Sequence, residues 1–283
     1  MTDAFEWRSL LQLEPEKIQA TRQLMHHAIQ NVAAVGRKFS PQTDNDSYGT
    51  LIWVPGLSRL AGEWVTGNIT FRSSLSIEDF KVLLVDKKVS TLASFELEGR
   101  TYRQLMLWLE EQIGKLGLEA ANLTMNLPYK LPDHPILSGE PFRLEFGRAA
   151  VELSKYYHNA YVILRQIKQE YESDGEIVIW PRRFDMAMSI TLKDTGDPET
   201  DTVITFGMSP GDESFPNPYF YISTKPFVDT ALCSKLPDNA LWVSEEWTGA
   251  VLLSKQLFEG DQELKVKTFF KESADQLIKL LTQ

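Results

Sequence analysis

The 283 residues include 29 basic and 39 acidic side chains, for a net charge of −10, and 43% of them are apolar and 11% aromatic. This is ample for a buried core in one large domain or two of ordinary size, while the acidity disfavours nucleic acid and anionic lipid as partners unless a local basic stripe overrides it. No such stripe occurs, since Lys87-Lys88 and Arg182-Arg183 each have an acid close by.

The first residues have neither a basic start nor an apolar run ending in small side chains, and no later segment approaches the roughly 20 apolar residues that span a bilayer. A membrane or targeting role is therefore not expected. The single cysteine, Cys233, excludes an internal disulfide framework and a thiolate zinc cage, so the expectation is a cytoplasmic protein without a structural metal. Asn68-Ile-Thr70 and Asn122-Leu-Thr124 match a glycosylation acceptor pattern that matters only on a secreted chain.

In chain order, the first amphipathic helix starts near Pro15, puts Ile18, Met25, Ala28, Val32 and Val35 on one stripe, and ends near Gly36. Strand-like runs follow at 50–54, 60–65, 68–72, 81–85 and 89–97. A second helix carries Tyr102, Leu105, Met106, Leu109, Ile113 and Leu116, closed by Gly117. The stretch 127–146 contains Pro128, Pro132, Pro135 and Pro141 and has no period, so it reads as an extended link. A long third helix carries Leu153, Tyr156, Tyr157, Ala160, Leu164, Ile167 and Tyr171. Strands at 176–180, 180–192, 203–209, 218–224 and 240–243 come next. The fourth helix is capped by Asp261 and buries Val266, Phe269, Phe270, Ser273, Leu277, Leu280 and Leu281.

The expected fold class is α+β, with two similarly built helix/antiparallel-sheet/helix halves at 1–126 and 147–283 joined by the proline-rich link 127–146. Each half enters its sheet through an Ile-Trp pair followed closely by proline, at Ile52, Trp53 and Pro55 and again at Ile179, Trp180 and Pro181. That repetition suggests an ancient duplication. Coincidence between two buried strands is the alternative.

Alternation makes the second-half strands informative. Side chains point to opposite faces in turn, so Phe184, Met186, Met188, Ile190, Ile204, Phe206, Met208, Phe220 and Ile222 form a core face. The other face holds Asp185, Ala187, Ser189, Thr191, Thr205, Gly207, Tyr219, Tyr221 and Ser223, a small, polar and aromatic mixture able to floor a pocket. Arg183 and Asp185, two apart on one strand, are expected to share that side, and Ala187, Ser189 and Gly207 to leave room above the sheet. The ligand-binding candidates are Trp180, Arg183, Asp185, Tyr219 and Tyr221; a solvent-facing or interdomain surface is the alternative.

Trp180, Phe184, Asp185, Met186 and Ala187 resemble the Trp…Phe-Asp-Leu-Ala signature of an uncharacterised bacterial domain-of-unknown-function family, with methionine in place of the usual leucine. Similar parts include the link resembling 127–135, the helix before the signature, the Pro216–Tyr221 stretch and the closing helix. The resemblance implies a shared fold and brings no known activity.

Other motifs carry less. Gly207-Met208-Ser209-Pro210-Gly211 matches a hydrolase nucleophile elbow, but prolines follow and no histidine lies beyond His158. His26 and His27 are about 100° apart on a helix and cannot chelate as an i, i+4 pair could. His134 is expected to be solvated and His158 packed. Asp194, Asp197, Glu199 and Asp201 lack the register of a calcium loop. With no phosphate loop or dinucleotide fingerprint, no cofactor is expected. Three readings stand: a small-molecule-binding or sensing protein using the polar face, an enzyme with Asp185 as general acid or base there, and an interaction protein using Trp242, Trp247 and the tyrosines.

Overall fold

The computed structural model describes residues 5–40, 49–121, 123, 127, 129–245 and 247–282; Pro128, Asn122 and Thr124 lie outside this set. The described residues form an α+β protein with four α-helices and two antiparallel sheets. Two compact units result. One, here the N-terminal unit, comprises Glu16–Ser154 and Ile179–Phe184; the other, the C-terminal unit, takes the residues up to Pro15, Lys155–Val178 and those from Asp185 onward.

Helix α1 (Pro15–Phe39) runs past Gly36, and the expected stripe is only part of what it buries. Thr21, Leu24, His27, Ile29, Gln30, Asn31, Ala33 and Ala34 are also covered, so the helix is enclosed on most sides. The N-terminal sheet has the order β1-β2-β4-β5-β6, with β3 on β4, from β1 (Ile52–Val54), β2 (Arg59–Ala61), β3 (Val65–Thr66), β4 (Thr70–Ser76), β5 (Lys81–Asp86) and β6 (Thr91–Glu96). The run 60–65 is broken at Gly62, where a Cβ would meet the Val32 carbonyl oxygen and Ser73 Oγ at 3.3 Å each. Strand β4 continues beyond Arg72 through serines. Ser73 Oγ donates to the Val32 carbonyl at 3.1 Å, which lets a buried polar residue sit in the sheet. Helix α2 (Tyr102–Lys115) begins with a capping box between Thr101 and Gln104.

Helix α3 (Gly147–Glu170) contains the boundary between the units, and β7 (Val178–Trp180) follows it. The C-terminal sheet has the order β11-β12-β10-β9-β8-β7, with β8 (Asp185–Lys193), β9 (Thr202–Ser209), β10 (Tyr219–Lys225), β11 (Leu241–Val243) and β12 (Gly249–Leu253). Sequence reading misses β12, because it is a central strand with four of its five residues buried and shows no alternation. Phe184 is buried but precedes β8 and lies in the N-terminal unit; the core face from Met186 to Ile222 is as expected, with all eight of its residues buried. It packs under α4 (Gln262–Leu281), where Phe270 meets Phe206 edge-on at 5.6 Å and Phe220 at 6.1 Å. Asp261 caps that helix by accepting the Leu264 amide at 3.0 Å.

The expected strand start at Trp180 is a turn instead. The Trp180 carbonyl accepts the amides of Arg183 at 3.2 Å and Phe184 at 2.7 Å, and Phe184 adopts φ 59°, a region bulky side chains rarely enter. Phe184 stacks on His26 at 5.4 Å with 6° between the rings, and the Pro181 carbonyl accepts from His26 Nε2 at 2.8 Å and Gln30 Nε2 at 2.9 Å. These contacts hold the strained residue in place.

Burial lowers the pKa of His26 to about 4, against the raising effect of its hydrogen bond to Pro181, and burial with the nearby His134 lowers His27 to about 4 as well. Both titrate near 6.5 when unfolded, so between pH 6.5 and about 4 the unfolded chain binds more protons. Stability is complete above that window and falls as pH drops through it, by up to about 3 kcal/mol per imidazole. Urea unfolding at pH 7 and pH 4.5 should show this loss, and His27→Leu should remove roughly half of it.

Candidate functional site

Strand pairing builds the polar face of the C-terminal sheet. Ala187 pairs with Gly207 across β8 and β9, Gly207 with Tyr221 across β9 and β10, and Ser209 with Tyr219. Glycine decides the geometry. With no side chain at 207, the Tyr221 ring lies over the backbone there; a Cβ would come within 2.4 Å of Tyr Cζ and 2.6 Å of its hydroxyl. Lying so, Tyr221 donates its hydroxyl to Asp185 Oδ2 at 2.5 Å. Asp185 opens β8 and is only 4% exposed. This is a short bond to a carboxyl group in a poorly solvated place, where such bonds are strongest.

A second pair stands beside it. The buried Tyr219 donates to Asp212 Oδ2 at 2.5 Å, while Asp212 Oδ1 accepts the Phe215 amide at 2.7 Å. Burial, then the bond to Asp212 and its charge, push the Tyr219 phenol far above its ordinary pKa. It therefore stays a proton donor. Tyr219 and Tyr221 are 6.0 Å apart, with Phe215 edge-on to Tyr219 at 5.2 Å and Trp247 edge-on to Tyr221 at 6.1 Å. The result is two carboxylates, each held by a phenol, among four aromatic rings. Chemically this presents acceptor oxygens and π-faces, which suit a cation or a hydrogen-bond donor.

The face is not uniform. Its Asp185 end is buried, whereas Ser189 and Thr191 are exposed and Ser189 Oγ lies 2.9 Å from Thr205 Oγ1. The room expected over Gly207 is filled by Tyr221. Arg183 departs from expectation too: it is exposed in the turn before β8 rather than on the strand, so it does not share a strand face with Asp185. It belongs with the half-buried Trp180 to the N-terminal unit, whereas Asp185, Tyr219 and Tyr221 belong to the C-terminal one. Two concavities among the described residues lie elsewhere, one of about 430 Å³ beside α1 and another of about 500 Å³ around Leu236, Asn239 and Thr268.

The remaining motifs are accounted for structurally. Ser209 ends β9, buried, with Oγ accepting the Gly211 amide at 3.2 Å, and the chain returns as β10 without the helix an elbow requires. The acidic loop caps itself: Asp194 accepts the Gly196 amide at 2.7 Å, Asp201 the Thr195 amide at 2.8 Å and Asp197 the Glu199 amide at 3.0 Å. His158 is packed, its Nε2 donating to the Glu6 carbonyl at 2.8 Å. His134 is half-buried rather than solvated, its ring 5.1 Å from that of His27. Among the described residues no three of His, Cys, Asp and Glu gather as metal ligands, and no helix is long and apolar enough to cross a membrane.

The Gly207–Tyr221 arrangement is testable. Gly207→Ala should force the Tyr221 ring off Asp185 and cost about 1–3 kcal/mol, the size of a lost buried hydrogen bond. In a Tyr221→Ala background the same change should be neutral or stabilising, since alanine outranks glycine within a strand. A double-mutant cycle by urea unfolding measures the difference.

Comparisons with family models, with curated proteins and with solved structures find no match to this chain, so its chemistry is read from its own residues.

Proposed function

We propose that this chain is a small-molecule-binding or sensing protein whose ligand engages the Asp185, Tyr219 and Tyr221 end of the C-terminal sheet. The observation that carries the reading is the Asp185 carboxylate, 4% exposed and bound by Tyr221 at 2.5 Å. An ionisable group at such a place is costly compared with an apolar one, and it is oriented by a strand rather than a loop. The rings of Tyr221 and Trp247 then suit the body of a ligand and the carboxylates its cationic or donor end. An enzyme with Asp185 as general base is less well supported, because Tyr221 already occupies Oδ2. A cytoplasmic location and the family resemblance at Trp180 and Phe184–Ala187 belong to the same proposal.

A second reading, a protein-interaction surface, is favoured by apolar side chains near edge strand β11. Phe227 is 67% exposed, Leu232 71% and Leu241 46%.

Native mass spectrometry of freshly purified protein tests the first reading. A retained small-molecule adduct is expected, with Asp185→Asn losing it through an affinity drop of tenfold or more, about 1.4 kcal/mol per tenfold. The variant's folding stability should fall by no more than about 1–3 kcal/mol. Stability lost with the adduct unchanged would remove Asp185 from the site, and a dimer without any adduct would favour the interaction surface.

A further inference from the structure

We infer that the N-terminal unit holds a second binding site, the cavity between α1 and the segment 134–146, and that it takes a small amphipathic carboxylate. The cavity measures about 430 Å³, within the range of small-molecule sites. Thr21 and Leu24 of α1 line one side, and His134, Ile136, Arg143 and Phe146 line the other.

One unsatisfied polar group lies in its wall, and another stands behind His134. Thr21, buried in the wall, has an Oγ1 without a hydrogen-bond partner among the described residues. Next to His134 stands His27, 1% exposed, and neither of its ring nitrogens has a partner there. Among the described residues the Pro132 carbonyl is the one group that acts on His27 as a hydrogen-bond acceptor, in a geometry too poor to satisfy the ring. Native interiors leave few such groups unpaired, and an orphan lining a cavity fits a molecule that completes it.

The donors decide the ligand class. His134 Nδ1 accepts the Ile136 amide at 3.3 Å, which places its proton on Nε2 as a donor. The Thr21 hydroxyl and the Arg143 guanidinium donate as well, so the polar wall is rich in N–H and O–H groups that match carboxylate oxygens. Leu24, Ile136 and Phe146 suit an alkyl or aryl body. The charged and titratable groups around this end are His26 and Arg22 from α1, His134, Glu140, Arg143 and Glu145 from the segment, and Lys17 at 5.9 Å over the Phe146 ring. Glu140, Arg143 and Glu145 are all exposed at the mouth, so water screens their charges alike. Burial holds the imidazoles neutral, and a bound carboxylate would draw a proton to them, strengthening binding as pH falls.

The test titrates the full chain with octanoate, octanol and octylamine by calorimetry. Octanoate should bind about tenfold more tightly than octanol, octylamine should bind more weakly still, and octanoate affinity should rise about threefold from pH 8 to pH 6. Ala20→Trp, a change at an exposed residue of the rim, should abolish binding. His27→Leu removes the orphaned nitrogens, so it should keep or raise the melting temperature, weaken octanoate about fivefold and flatten the pH dependence. Asp185→Asn should leave octanoate affinity unchanged, which separates this site from the one on the C-terminal sheet. Failure of octanoate to bind, octylamine binding equally well, or full affinity in Ala20→Trp would each overturn the inference. If His27→Leu does not fold, Ala20→Trp decides alone.

Discussion

One carbonyl oxygen holds the turn that leads into the strand of the candidate site. Pro181 O accepts from His26 and Gln30 on a single helix, at 2.8 and 2.9 Å, and Gln30 Oε1 accepts in turn from the Tyr129 hydroxyl at 2.8 Å. The Tyr129 oxygen accepts from Arg37 at 2.6 Å. This chain of bonds fixes the turn in which Phe184 takes its positive φ, and β8 starts at the next residue. Because strand side chains alternate with period two, a slip of one residue at this point would send Met186 to the polar face and Asp185 into the aliphatic core.

Helix α1 supplies that hold because it is enclosed. An enclosed helix cannot leave polar side chains in water, so each needs a local partner: Asn31 Nδ2 donates to the Ala28 carbonyl at 3.1 Å, and Gln30 bridges Pro181 and Tyr129. Polar bonds of this kind add modest net stability but penalise alternative packings heavily, since breaking them leaves a buried group unsatisfied. Thr21 Oγ1 and the His27 ring nitrogens, like Asn31 Oδ1, are atoms of the same helix without such partners among the described residues.

Alternation made the C-terminal sheet legible: the core-face residues from Met186 to Ile222 and the polar set around Asp185 follow from period two alone. Helix ends were legible where a cap announced them, as at Asp261. Strand β12 was not, because a strand buried on both faces has no period to detect. Arg183 was misplaced because nothing in Trp-Pro-Arg-Arg-Phe signals that phenylalanine will take a conformation usually left to glycine or asparagine. The meeting of His27 with His134 and of Tyr221 with Asp185 depends on tertiary placement of residues far apart in sequence, which no local pattern encodes. The unit boundary inside α3 is equally silent, since composition does not change within a continuous helix.

The Tyr221 ring lying across Gly207 has a consequence for how this sheet can diverge. Neither position can vary independently: any side chain at 207 collides with the ring, and loss of the ring uncovers a bare stretch of backbone in the middle of the sheet. Substitution at one therefore relaxes the constraint on the other, and descendants of this sequence should carry either glycine with an aromatic residue or a larger residue with a smaller partner. Asp185 is tied to the same exchange through the phenol. Across related chains, its replacement by an apolar residue should coincide with loss of the tyrosine, so that three residues distant in sequence would drift as one unit.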